Sequence, residues 1–467
     1  MKSGLLLLLL LLFTRNIFAQ TEIEERAEKI DTEQAENTPK HGLMAINETL
    51  LSNGAVLFFN TFITDTAWAV PTSDSVRHNF TQRWEWEETD NYLVNQIGHP
   101  YQGSFYFNAG RINGFNFYES SFFSILGSFT WEAFCEENYA SMNDLISTTI
   151  GSMPIGEMLY RLYAEAYYAG IPGFLMFFIN PMAGFHRLVT GWEPPPEDRN
   201  LYSLRTYIGA AYTCTEYKAS ASNGNLFEYN GAFADIGVNI VYGDPFEQHT
   251  TIPYKQFELT VSMGMNPGSF NDVRVISDGY LFSFSPLQAE KNKMSTGLSL
   301  HLDFVSLGKF GLLDSTIDQC SYALDWTVKY QYMFSEETNL QVKYHAGFTF
   351  LGASEYYSPE SGKEKVELKN YGYGFNAKRY YRFEHGKRGA LEYSRFFYSM
   401  WTYPDTSALS YGNVTWHFRD FTYSYLVTKH ISLGFTDSYA SERGTFDGYP
   451  NTKKKSRSLK LFVAWNL

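Results

Sequence analysis

Residues Leu340–Phe350 read LQVKYHAGFTF, and two kinds of side chain alternate along them. The even positions carry Leu, Val, Tyr, Ala, Phe and Phe, whereas the odd positions carry Gln, Lys, His, Gly and Thr. This period of two is typical of a β-strand whose two faces meet different surroundings. The stretch therefore predicts a strand, and the fold depends on what covers its apolar face.

The same alternation recurs over residues 200–467. It is clear in Ala234–Tyr242, Phe257–Met265, Leu298–Phe304 and Trp326–Tyr332, and turn residues such as Pro, Gly, Asp and Asn separate the runs. At roughly 20 residues for each strand and its connection, this region predicts about 12 antiparallel strands, within a range of roughly 10–14.

The two strand faces differ too much for a soluble β-sandwich. Tyr, Phe and Trp crowd the apolar faces, whereas Lys, Asp, His, Gln and Arg crowd the opposite ones. A packed core could not satisfy so many charges, but a polar lumen could. The chain has 18% aromatic residues, yet its mean hydropathy is only -0.29. We therefore expect a transmembrane antiparallel β-barrel in the outer membrane of a diderm bacterium, with its apolar faces against lipid.

Both ends of the chain fit this location. Residues 1–19, MKSGLLLLLLLLFTRNIFA, are expected to be a signal peptide that is removed after export. Residues 20–44 are expected to be a disordered acidic lead. Leu459–Leu467, LKLFVAWNL, resembles the final strand that outer-membrane proteins present to the barrel-assembly machinery, which would make that machinery a partner.

Charge and motifs exclude several other functions. The formal net charge is -13, which argues against a nucleic-acid partner. The chain has no Walker A or dinucleotide-binding motif, and no cofactor is expected. Cys135, Cys214 and Cys320 are too scattered for a metal cluster or a disulfide framework.

Residues 45–199 have a different texture, with helix-length amphipathic segments that Gly and Pro interrupt. The run Trp192–Arg199, WEPPPEDR, predicts an extended linker and a domain boundary, because consecutive prolines forbid helix. We therefore expect a helical module at 45–199 and the barrel at 200–467.

Several motifs in this module resemble an uncharacterised bacterial family, the domain of unknown function 3943. They are Asn95–Gly103 (NQIGHPYQG), Tyr106-Phe-Asn-Ala, Trp131-Glu132, Ser141-Met-Asn-Asp, and Gly156-Glu157 with Arg161. The resemblance implies a place in the envelope of diderm bacteria such as spirochaetes or Bacteroidetes. It implies no activity, so no catalytic role is carried over.

The same module holds the candidate site residues. His99 is a candidate general base, with Glu132 or Asp144 as the carboxylate that orients it, although a hydrogen-bonded structural histidine is favoured. Glu132 and Glu136 with His99 or His186 form a candidate metal site, but an ion-paired carboxylate cluster is favoured and no metal is expected. The candidate binding residues are Tyr106, Asn108, Arg111, Trp131, Asn143, Glu157, Arg161 and His186.

Glu157 and Arg161 are spaced for an ion pair on one helical face. Arg111, Arg161 and Arg187 together are an alternative site for a phosphate or carboxylate. Ser104, Ser120, Ser121 and Ser141 are candidate nucleophiles for a lipid hydrolase, although no Gly-x-Ser-x-Gly elbow is present.

Three functions stay open at this point. The leading one is a channel or transporter for a small solute, or an envelope scaffold, with the helical module as a plug in or beneath the lumen. The alternative is an outer-membrane enzyme that modifies lipid at the bilayer boundary with a Ser/His or carboxylate site. The third is an adhesive protein that displays loops such as Tyr356–Lys365.

Overall fold

The computed structural model describes residues 39–63, 70–82, 84, 86, 92–195, 199–219, 226–246, 249–266, 269–308, 317–358, 366–403, 412–447 and 449–467. Its contacts divide the chain into two units, Met1–Asn200 and Leu201–Leu467. The predicted signal peptide, most of the predicted acidic lead and most of the predicted display loop lie outside the described residues.

The described part of the first unit is helical. The helices are α1 (Gly42–Phe62), α2 (Ser73–Thr81), α3 (His99–Ile112), α4 (Phe117–Phe134), α5 (Met142–Tyr168), α6 (Gly173–Ile179) and α7 (Pro181–Thr190). A π-helical turn, Val94–Gly98, leads into α3. The signals that start the helices are local: Thr72 and Asn116 form capping boxes, and Ser141 and Asn180 accept a hydrogen bond from the first turn.

The helices of this unit pack closely through small residues. A Cβ added to Gly127 would lie 2.2 Å from Cγ of Tyr106, and one added to Gly103 would lie 2.4 Å from the carbonyl oxygen of Thr148. The absence of a Cβ at Gly127 therefore lets α4 lie this close to α3, and its absence at Gly103 lets α3 lie this close to α5. α5 is the central helix, and all of its residues are buried or half-buried.

The second unit is a closed antiparallel barrel. Its strands are β1 (Leu201–Ala219), β2 (Leu226–Tyr242), the two-residue β3 (His249–Thr250), β4 (Phe257–Asn266), β5 (Ser269–Gln288), β6 (Asn292–Leu307), β7 (Ile317–Ser335), β8 (Thr338–Ser358), β9 (Val366–His385), β10 (Ala390–Thr402), β11 (Gly412–Leu426), β12 (Ile431–Phe446) and β13 (Tyr449–Asn466). Apart from β3, which pairs only with β5, the strands form a ring of 12. The predicted barrel of about 12 strands is confirmed.

The ring closes where the first and last strands meet. β1 pairs with β13 from Arg205 opposite Asn466 to Ala219 opposite Thr452. Leu204 and Leu467 then exchange backbone hydrogen bonds of 3.2 and 2.9 Å. The end of the chain is therefore part of the barrel wall.

The alternation in Leu340–Phe350 separates the inside of the barrel from its outside. On β8, Tyr344 and Phe348 are 42% and 54% exposed, whereas His345 and Thr349 are buried. Phe348 lies opposite Phe375 of β9, which is also exposed. Along this strand the apolar side chains therefore face outward and the polar ones face the lumen.

The two ends of the barrel differ. Short turns join β5 to β6, β7 to β8, β9 to β10 and β11 to β12 at the end where β1 begins and β13 ends. Three of the connections at the other end are longer, between β6 and β7, β8 and β9, and β10 and β11. The exceptions are the long connection between β2 and β4 at the first end, which contains β3, and the short turns between β4 and β5 and between β12 and β13 at the other end.

Candidate functional site

The sequence-predicted site residues all lie in the helical unit, and most of them are buried. They separate into three polar clusters. The barrel lumen holds a fourth group of polar residues, which were assigned to the inner face of the strands but not to a site.

The first cluster joins α3, α4 and the start of α5, and we call it the carboxylate cluster: His99, Glu132, Glu136 and Asp144. Nε2 of His99 lies 3.8 Å from Oδ1 of Asp144, and all four side chains are buried. The backbone N–H of Ser141 donates to Oε2 of Glu132 at 2.9 Å. The three predicted catalytic candidates thus lie in one cluster.

Neighbouring groups hold these carboxylates in place. Nε1 of Trp131 donates to Oε1 of Glu136, and Nδ2 of Asn143 donates to Oδ1 of Asp144 at 2.9 Å. Burial, with Glu136 and Glu132 close by, raises the pKa of the adjacent Cys135 thiol to about 11. The role of His99 as a base stays a prediction, because geometry alone does not assign it.

The proposed serine nucleophiles bond to backbone atoms. The hydroxyl of Ser104 donates to the carbonyl of Tyr101 at 2.6 Å, and that of Ser121 donates to the carbonyl of Phe117 at 3.2 Å. Ser120 likewise donates to the carbonyl of Phe115 at 3.4 Å, and Ser141 accepts from the N–H of Asp144. Among the described residues, no group of three His, Cys, Asp or Glu side chains could hold a metal ion.

Tyr106 lies between the carboxylate cluster and α1. Its hydroxyl donates to Oδ1 of Asn53, and it accepts from Nε2 of Gln102 at 2.7 Å. Nδ2 of Asn53 in turn donates to the carbonyl of Gly127 at 3.0 Å. Asn53 was missed by sequence reasoning, because it is one of three Asn residues on α1 and no motif distinguishes it.

The second cluster is an ion triad of Arg111, Glu157 and Arg161. Nε of Arg111 lies 2.6 Å from Oε2 of Glu157, and Nη2 of Arg161 lies 2.9 Å from Oε1 of the same carboxylate. The guanidinium of Arg111 also lies over the ring of Tyr160, 4.4 Å from its centroid. The structure shows the expected Glu157–Arg161 ion pair, and Arg111 binds the same carboxylate.

Arg111, Arg161 and Arg187 do not converge on one site in the structure. Arg111 and Arg161 both bind Glu157, whereas Arg187 lies over the ring of Tyr167 at 4.7 Å. The carboxylate that two of these arginines bind is therefore the protein's own.

The third cluster links α1 to α7 and α3. Nδ1 of His186 lies 2.6 Å from Oε1 of Glu48, and Nδ2 of Asn113 donates to Oε2 of Glu48 at 2.6 Å. Close to it on α3, Asn108 accepts from Nδ2 of Asn180 at 2.8 Å. Glu48 was missed, because its partner His186 lies 138 residues away along the chain.

The barrel lumen contains a cavity of about 700 Å³ near the end with short turns. Ion pairs ring it: Lys460 with Asp235 at 2.6 Å, Lys343 with Glu258 at 2.5 Å, and Arg205 with Glu392 at 3.3 Å. Arg382 also binds Glu392. The cavity is therefore polar, and carboxylates of the barrel itself neutralise these four cations.

One ion pair at this cavity crosses the whole barrel. Nη1 of Arg274 on β5 lies 3.3 Å from Oδ2 of Asp420 on β11. In the ring of 12 strands, β5 and β11 are six steps apart in either direction. Opposite walls of the barrel thus meet directly, and we call this pair the transverse latch.

Further ion pairs connect strands that are not neighbours. Lys329 of β7 lies 3.0 Å from Glu258 of β4, and Lys378 of β9 lies 2.6 Å from Asp303 of β6. The hydroxyl of Tyr398 on β10 also donates to Asp303 at 3.0 Å. These contacts fill the lumen with side chains of the barrel.

An apolar layer lies beyond the latch, toward the end with long connections. Its residues come from β6 and β7 on one side and from β10, β11 and β12 on the other, so they meet inside the barrel. The indole N–H of Trp416 donates across the lumen to the carbonyl of Asp318 at 3.1 Å. The layer consists of Val305, Leu307, Ile317, Tyr398, Met400, Val414, Trp416, Phe418, Ala440 and Phe446.

Residues 83–182 match a family model, the domain of unknown function DUF3943, and this confirms the resemblance read from the motifs. No curated protein matches the chain in sequence.

Several solved outer-membrane structures align with the chain. An outer membrane channel from Pseudomonas putida F1 shares 10% identity over 57% of this chain and 96% of its own, with a TM-score of 0.29. A Pseudomonas aeruginosa FadL homologue shares 8% identity over 56% of this chain and 89% of its own, with a TM-score of 0.26. The P. putida toluene transporter TodX shares 7% identity over 60% of this chain and 93% of its own, with a TM-score of 0.23. The fold of this chain is therefore established by its own strand pairing.

Proposed function

We propose that the protein is a gated outer-membrane channel for small polar solutes. The observation that carries this proposal is the lumen cavity of about 700 Å³, whose lining includes both residues of the transverse latch, Arg274 and Asp420. A cavity of this size is in the range that accommodates a small molecule. The latch and the apolar layer correspond to the closed state.

The outer wall supports the membrane location. Outward-facing side chains such as Trp326, Phe348 and Leu461 are 47%, 54% and 63% exposed. The lumen-facing Lys329 and Lys378 are buried with carboxylate partners. A barrel with an apolar outside and a charged inside is stable in lipid and poorly soluble in water.

Export and assembly remain part of the proposal. The signal peptide at residues 1–19 would direct the chain across the inner membrane. The last strand, β13, would then be the segment that the barrel-assembly machinery recognises, and its pairing with β1 is the step that closes the ring.

The helical plug also remains a proposal. The lumen charges do not require partners from the helices, because they find partners within the barrel. The polar residues of the helices are largely internal to the helical unit. Gating by the latch does not require a plug.

Breaking the latch should open the channel. Asp420→Asn removes the charge that holds Arg274 across the lumen, so we expect the population of the open state to increase. If the closed state loses about 1.4 kcal/mol of stability, the equilibrium between the open and closed states shifts about tenfold. We therefore expect the fraction of time that the channel is open to rise by about that factor. Planar-bilayer recordings of the purified full chain, beside the wild type, measure this.

The matched control is Asp437→Asn. Asp437 pairs with Arg457 at 3.1 Å between the neighbouring strands β12 and β13, and Arg457 is largely exposed. Its loss should leave the conductance unchanged. A wild type with a large steady conductance, or an Asp420→Asn variant indistinguishable from it, would refute gating by the latch.

A further inference from the structure

The helical unit has an apolar core between α3, α5, α6 and α7, but α1 and α4 each expose a row of apolar residues. The exposed residues of α4 include Tyr118, Phe122, Ile125 and Phe129, which follow one another at helical spacing and are 59%, 59%, 50% and 38% exposed, and Phe134 at its end. The opposite, buried face carries the small residues Ser120, Ser124, Gly127 and Ser128 together with Phe117, Phe123 and Trp131. A surface helix of a water-soluble domain shows the reverse arrangement.

α1 repeats this pattern. It is long and apolar enough to cross a membrane, judged by length and composition. Its one charged residue, Glu48, is buried against His186, and Thr49 and Asn53 are buried beside it. The exposed apolar side chains of this helix are Leu43, Leu50, Leu51, Phe58, Phe59 and Phe62.

The two apolar faces lie side by side. Lys40, just before α1, pairs with Glu119 in the first turn of α4 at 2.8 Å, and Asn53 of α1 bonds to Gly127 of α4. The helices therefore run parallel from a common level. With 21 and 18 residues, they are about 31 and 27 Å long at 1.5 Å per residue, close to the roughly 30 Å of a bilayer's hydrocarbon core.

Charged residues mark both ends of this apolar face. Lys40 and Glu119 lie at one end. At the other end α2 packs on the last turn of α4, where Nδ2 of Asn79 donates to the carbonyl of Glu132 at 3.0 Å. Exposed Asp74 and Arg77 are on α2. An apolar band about 30 Å tall between two charged rims has the profile of a membrane-spanning surface.

The interior of the unit also suits lipid. Helices in a bilayer gain no hydrophobic energy from associating, so they pack through small residues and buried polar bonds. Gly127 against Tyr106 and the bond between the Ser152 and Ser124 hydroxyls, at 2.8 Å, are contacts of this kind between α4 and its neighbours α3 and α5.

We infer that the face formed by α1 and α4 is covered by the acyl chains of membrane lipids. The helical unit is thus a second lipid-contacting unit, in addition to the barrel. Its buried carboxylate cluster and ion triad are then shielded from water by the unit's own apolar exterior. This inference goes beyond channel function and does not depend on gating.

Lipid contact can be tested in the full chain with single-cysteine labels. The native Cys135, Cys214 and Cys320 are first replaced by Ala, and the variants are reconstituted in phosphatidylcholine vesicles. Bimane is attached at Phe122→Cys or Phe58→Cys, and its quenching by nitroxide-bearing phospholipid is recorded. Phe348→Cys on the outer wall of the barrel is the positive control, and Arg77→Cys on α2 is the negative one.

We expect the labels at 122 and 58 to lose emission to the same extent as the label at 348, while the label at 77 keeps its emission. Ile125→Cys replaces Phe122→Cys if the latter does not fold. Labels at 122 and 58 that behave like the label at 77 would overturn the inference, whether a lumen, a second copy or water covers the face. A label at 348 that is not quenched would instead refute the membrane barrel.

Discussion

Glu157→Ala is expected to destabilise the helical unit by about 3–5 kcal/mol, because it removes one member of a buried ion cluster. The carboxylate is fully buried and holds Arg111 and Arg161 at 2.6 and 2.9 Å. Without this carboxylate, the two guanidinium groups remain inside the unit and lose the charge that neutralises them. Amide hydrogen exchange along α5, in the full chain in detergent micelles, measures the loss.

Two further variants separate charge from packing. Glu157→Gln keeps the shape and should recover only part of the loss. Glu119→Ala removes a partly exposed carboxylate that pairs with Lys40 and accepts from the N–H of Asn116 in the capping box of α4, and it should cost about 1 kcal/mol. Equal protection of α5 in Glu157→Ala and Glu119→Ala would show that the triad does not stabilise the unit.

Trp416→Ala is expected to have the largest effect on the barrel. The indole is buried in the apolar layer, and its N–H bonds to the carbonyl of Asp318 and to Glu442 at 3.1 and 3.2 Å. Truncation leaves a void and breaks a contact between the non-neighbouring strands β11 and β7, at a cost of about 3–5 kcal/mol. We expect a lower unfolding temperature and a steady conductance that the wild type lacks.

Trp401→Ala is the matched control, because Trp401 faces outward and is 41% exposed. Its truncation removes contacts with the surroundings of the barrel and leaves the lumen filled. We expect a smaller shift in heat-induced unfolding on gels and an unchanged conductance. An equal response of the two variants would mean that the apolar layer does not close the lumen.

The barrel was predictable from the sequence because its pattern is local. Residues two positions apart share a face, so the stretch around His345 and Phe348 already separates lumen from exterior. Strand number follows from the repeat of this pattern, and closure follows from the need to pair every edge in lipid. The ring of 12 strands agrees with that reasoning.

The lumen contacts were not predictable, because they join residues far apart in sequence. The latch links Arg274 to Asp420, 146 residues away, and its formation depends on the registers of all the strands between them. Knowing that both residues face inward does not say which carboxylate an arginine meets. A single sequence carries no signal for that choice.

The helical unit shows a different limit. Its motifs were recognised, and His99, Glu132 and Asp144 do lie together. However, these motifs did not show which face of α4 is buried. Periodicity separates two faces of a helix, but it does not say which face is inside. That assignment needs the neighbouring helices.

The orientation of the β8 side chains tests most directly whether the apolar face of the barrel lies against lipid. Single cysteines are placed along this strand in the cysteine-free background, labelled with bimane, and exposed to nitroxide-bearing phospholipid in vesicles. The positions are Val342, Lys343, Tyr344, His345, Ala346 and Phe348. Strong quenching at 342, 344, 346 and 348 with weak quenching at 343 and 345 is the predicted result. Uniform quenching, or none, would contradict a barrel whose apolar face lies against lipid.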